Sequence, residues 1–148
     1  MFRSVLVGVD GSAAAAVALG RAVDIVQASQ GRIGLLAAAS PVRLWSGTAP
    51  FGILVAPGRL EHDVEAEAVR RVDDAAEAVP ADVPVSKLVV RARLAPALLT
   101  QAREGRWDLV VVGVPSDVCR WRAIHDVSAR LLRSSGVPVL VVRAAGLR

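Results

Sequence analysis

Five runs of mostly branched apolar residues recur along this chain, and the segments between them carry apolar residues at three- and four-residue intervals. No other feature narrows the fold so far. The runs are SVLVGVD (4–10), IGLLAAAS (33–40), VPVSKLVVRARL (83–94), LVVVG (109–113) and VPVLVV (137–142), with turn residues near their ends. Continuous apolar runs of this length fit strands covered on both faces, as in a parallel sheet. Helical spacing is clearest over 60–79. There Leu60, Val64, Ala68, Val72, Ala76 and Val79 form a stripe, and Glu65, Glu67, Arg70, Arg71, Asp74 and Glu77 lie mostly off it, reading as a solvated face. Further helices are predicted over 13–28, capped by Ser12; over 96–103, with Pro96 in the first turn and Gly105 closing it; and over 127–135, ended by Gly136. Strands alternating with helices define an α/β fold, a doubly wound parallel sheet with helices on both faces and right-handed crossovers.

The 148 residues predict one domain over 1–148 with a full hydrophobic core. A hydrophobic share of 53% against 22% charged excludes a disordered chain. Mean hydropathy is +0.46, yet no apolar run approaches the roughly 20 residues that span a bilayer. The apolar stretch in MFRSVLVGVDGS is too short for a secretory leader, so a cytoplasmic chain with no membrane partner is expected. The lone Cys119 rules out an intrachain disulfide and fits a reducing compartment. The net charge of +4 is modest and dispersed, and aromatics are 3%, which disfavours nucleic acid as a partner.

Ligands of doubly wound sheets sit outside the carboxyl ends of the strands, where strand order reverses. Two segments fall there: VGVDGS after the first strand and GVPSDVCRWRAIHDVS (113–128) after the fourth. In the first, Asp10 before Gly11 is suited to shaping the turn through its side chain. In the second, Asp126 precedes the predicted last helix, where a carboxylate can accept the free N–H groups of the first turn. The segment PVRLWSGTAPFGILVAPG (41–58) reads as a long loop whose Trp45 and Phe51 pack on the sheet edge. No catalytic residue is expected: His62 and His125 have no acid or nucleophile at motif spacing, and Asp117 with Asp126 makes no credible carboxylate pair. No His, Cys, Asp or Glu spacing suggests a metal.

VLVGVDGS, DLVVVGVPS and VSARLLRSSGVPVLVV, in this order across the whole chain, resemble the universal stress protein family. The resemblance implies a five-stranded sheet of order 3-2-1-4-5, a stress-response role and a homodimer joined through the last strand, acting on a protein partner yet to be identified. It also implies a nucleotide site. By resemblance Asp10 would contact the nucleoside part, with Val9 beside it and Ala39 near the base. Gly113 matches the first glycine of the motif with which some members hold ATP, Gly, two residues, Gly, nine residues, Gly, then Ser or Thr. The second glycine is Ser116 here, and His125 and Asp126 stand where the final pair belongs; Pro115 removes a backbone donor. The expectation is thus a degenerate site, with Pro115, His125 and Asp126 blocking it and no resident cofactor. The alternative keeps an adenine nucleotide, ATP or AMP, on Val9, Asp10, Ala39, Gly113, Ser116 and Ser128, with slow hydrolysis or a nucleotide-dependent switch.

Overall fold

The computed structural model describes residues 1–39, 57–114 and 121–144, apart from the side chains of 57–61 and 121–126. Five strands and four helices alternate along these residues: β1 (Ser4–Gly8), α1 (Ala13–Ser29), β2 (Arg32–Ala38), α2 (Pro57–Glu77), β3 (Val85–Val90), α3 (Leu94–Glu104), β4 (Leu109–Val114), α4 (Trp121–Ser134) and β5 (Val139–Arg143). The strands form one sheet of order β3-β2-β1-β4-β5, every pair parallel. The doubly wound α/β reading and its strand order hold.

The branched residues of the central strands point alternately to the two faces. Val5, Val7, Ile33, Leu35 and Val111 enter one buried cluster with Ala18, Ala22, Val26 and Val72 from α1 and α2. Leu6, Leu36, Val110 and Val112 enter the other with Leu98 and Leu131 from α3 and α4. Both sides of β1, β2 and β4 are therefore covered, which is why their sequences run apolar without alternation. Fully burying each such side chain stabilises the fold by about 1.5–3 kcal/mol.

Register is held at the amino-terminal edge by Asp108. Its Oδ2 accepts from the backbone N–H groups of Arg3 (3.0 Å) and Ser4 (2.9 Å), and its own N–H donates to the Ser4 carbonyl (2.8 Å). Trp107 lies buried beside it, its ring filling the space left by Gly34, with the Arg32 guanidinium 4.9 Å from the ring centroid.

Three boundaries differ from those predicted. Helix α2 begins at Pro57, so Pro57 and Gly58 belong to it; proline suits a first helical position, where its missing N–H costs nothing. The remainder of the expected 41–58 loop, with Trp45 and Phe51, lies outside the described residues, as does Cys119. Strand β3 ends at Val90, because Arg91 turns out of the sheet to meet Glu65 of α2 (2.6 Å) and Leu94 already starts α3. Most consequential, α4 starts at Trp121. Among the described residues no helix is long and apolar enough to cross a membrane.

Candidate functional site

At the carboxyl edge β1 and β4 lie side by side, while β2 follows β1 on one side and β5 follows β4 on the other. The order reverses between β1 and β4. The turn after β1 reaches this point as a compact device. Asp10 Oδ1 accepts from the Ser12 N–H (2.9 Å), and Ser12 Oγ accepts from the Ala15 N–H (3.1 Å), making Ser12 the N-cap of α1 as predicted. Gly11 between them has φ +79°, a left-handed conformation that a residue with a Cβ adopts only under strain. The turn role read for Asp10 therefore holds. Its side chain is exposed, and Oδ2 makes no hydrogen bond among the described residues.

Val9 and Ala39 are buried, their N–H groups donating to the carbonyls of Leu36 and Val90 (2.8 Å each). Gly113 lies on β4 against the first turn of α1; an added Cβ would collide with the backbone carbonyl of Ala14. Whatever it does toward a ligand, this glycine is needed for the helix to sit on the strand. Ser128 is buried in α4. Gly8, Asp10, Ala15, Gly113, Val114 and Ser128 help to line a small cavity of about 40 Å³, enough for roughly three water molecules at most. So Asp10, Gly113 and Ser128 come together, while Val9 and Ala39 form the buried floor on the β2 side.

Ser116 and Pro115 lie outside the described residues, and so do the side chains of His125 and Asp126. The backbone places those last two five and six positions into a helix that starts at Trp121. Asp126 therefore does not cap α4. The sequence carried the sign: Ile124, Val127 and Leu131 continue the helical spacing upstream of VSARLLR. His62 is exposed on α2, and no group of three potential metal ligands occurs among the described residues.

The site reading also missed Arg71. It belongs to α2, yet its side chain reaches the turn after β1, its Nε lying 3.3 Å from where a Gly11 Cβ would be. Arg71 lies off the apolar stripe and so reads from sequence as part of a solvated face.

A doubly wound α/β domain whose turn after β1 presents a carboxylate at the strand-order reversal is a nucleotide-binding type of scaffold. Matching at the family level is more specific: the universal stress protein family model matches residues 1–143. The chain belongs to the universal stress protein family. A solved universal stress family protein from Burkholderia pseudomallei is similar at 25% identity, with 97% of each chain covered and a TM-score of 0.75. A universal stress protein solved in complex with cAMP is also 25% identical, covering 97% of this chain and 98% of that one, with a TM-score of 0.62. A family member from Arabidopsis thaliana with AMP bound shares the fold at 16% identity and a TM-score of 0.71, over 97% of this chain and 93% of that one. No curated protein sequence matches the chain significantly.

Proposed function

We propose that this chain is a binding member of its family rather than a catalytic one. It takes an adenine nucleoside or monophosphate at the carboxyl ends of β1 and β2, and acts by assembling with a second copy and recruiting a partner protein. Asp10 carries the ligand half of this reading. One carboxylate oxygen is committed to the Ser12 N–H, which fixes the group, and the other faces solvent beside the strand-order reversal. A carboxylate held in that way is a ready acceptor for the two hydroxyls of a ribose. The similar universal stress protein solved with cAMP supports a monophosphate-sized ligand.

A triphosphate is disfavoured on two grounds. Ser116 and Asp126 stand where glycine would let a backbone approach phosphate closely, and the cavity beside Gly113 and Ser128 has room for only a few waters. Calorimetric titration tests the reading. AMP should bind about tenfold or more tightly than ATP with magnesium, and Asp10→Ala should abolish both. Combining Ser116→Gly with Asp126→Gly should raise ATP affinity. ATP retained stoichiometrically by the purified protein would instead favour the nucleotide-dependent switch.

A further inference from the structure

The largest cavity described lies away from the strand ends. It is a groove of about 560 Å³ between α1 and α2, with apolar walls that include Val9, Leu19, Val23, Ala75 and Ala78. That volume is in the range of sites for drug-sized molecules, which combine apolar walls with a few placed polar groups. The groove takes a single polar anchor with partial cover, Arg71, at the end where Gly11 and Ser12 turn into α1.

Arg71 lies over Gly11, its Nε, Cδ and Cγ 3.3–3.6 Å from the position a Cβ would take. A larger residue at 11 would push it away. Its one ion-pair contact among the described residues runs from Nε to Glu67 Oε1 at 3.5 Å, and Glu67 is more closely engaged by Arg70 at 2.8 Å. The terminal guanidinium nitrogens make no hydrogen bond among the described residues. The other charges on the lining, Asp24 and Asp74, are exposed, and Asp24 faces Arg21 at 3.5 Å. Charges so exposed are screened by water and salt, whereas Arg71 is partly shielded. The groove is thus polarised: a sheltered cation at the sheet's carboxyl edge, an apolar trough along α1, and carboxylates on the outer rim.

We propose that this groove is a second binding site, separate from the strand-end site, for a small organic anion with an extended apolar body. Its acidic head meets Arg71 and its tail lies along Leu19 toward Val23. A guanidinium offers a carboxylate two parallel donors, and burying the tail supplies most of the remaining affinity. The carboxylates on the rim oppose the reverse orientation.

Decanoate, decanol and decylamine, below their micellar concentrations, separate charge from apolar burial. In calorimetric titrations of the intact chain, decanoate should bind once per chain, about tenfold more tightly than decylamine. Backbone amide shifts should gather at Ala15, Leu19, Val23 and Ala75. Arg71→Gln should weaken decanoate about tenfold and leave decanol unchanged. Ala16→Trp, at an exposed position on the lining, should exclude all three probes. Tighter binding of decylamine, equal losses of decanoate and decanol in Arg71→Gln, or shifts confined to Ala39, Gly113 and Ser128 each overturn the proposal. Loss of self-association in Ala16→Trp, with no probe bound by the parent chain, would assign the groove to a second copy and overturn it equally.

Discussion

An added methyl at Gly113 would collide with the backbone of Ala14, whereas at Gly20, exposed in the middle of α1, nothing lies within 4 Å. The two glycines should respond oppositely to the same substitution. Gly113→Ala forces β4 and the first turn of α1 apart, and overpacking of this kind destabilises by about 1–3 kcal/mol. Because the obstacle is main chain rather than a side-chain tip, the upper end of that range is expected. Gly20→Ala removes backbone freedom from the unfolded chain at no steric cost, and should stabilise by about 0.5–1 kcal/mol. Urea denaturation of the two variants checks both signs. If Gly113 served only a ligand, its substitution would leave the unfolding midpoint of the free protein unchanged.

At the scale of elements, the starts of α1 and α4 make a pair. Ser12 caps α1 through the Ala15 N–H, so Ser12→Ala should cost about 1 kcal/mol. Asp126 lies inside α4, where alanine is the better helix former, so Asp126→Ala should change stability by no more than about 0.7 kcal/mol, in the stabilising direction. A loss of 1 kcal/mol or more, measured by chemical denaturation, would restore the cap that the sequence suggested. Why was one helix start legible and the other not? Before α1 the turn chemistry of Asp-Gly-Ser coincides with the end of an apolar run, and both signals agree. Before α4 the segment from Pro115 to Asp126 mixes breakers, charges and aromatics, and they mask a period that Ile124, Val127 and Leu131 keep. The strands of the sheet centre were legible because burial on two faces leaves an uninterrupted apolar run. β3 was overextended because its end is set by a partner 26 residues away, Glu65 on α2, which no local pattern reports. The site divides in the same way. Asp10 and Ser12 act locally and can be read from the turn, while the contacts of Gly113 with α1 and of Arg71 with Gly11 exist only once the sheet order brings those elements together.

For the whole molecule the open question is which sheet edge meets a second copy, and the two edges differ in chemistry. β3 is blunted: Lys87 projects to Asp73 (2.8 Å) and Arg91 at its end to Glu65 (2.6 Å), so charges held by α2 guard the strand. β5 pairs with β4 alone, and from Val139 to Val142 it carries no charge while its side chains are only partly buried. An unguarded apolar edge presents unpaired backbone groups as a template for another strand, and natural proteins usually cover or charge such an edge. Pairing of β5 with its own copy about a two-fold axis would cover both edges with one interface. On this argument the chain should sediment as a dimer, and Val141→Lys should raise its dissociation constant about tenfold or more, equivalent to about 1.4 kcal/mol. Lys87→Val on the opposite edge should leave the dissociation constant unchanged. Far-ultraviolet circular dichroism must show the Val141→Lys chain still folded, and the milder Val141→Thr serves if it is not. A parent chain that sediments as a monomer at micromolar concentration, or a folded Val141→Lys variant that dimerises as before, would remove β5 as the meeting edge.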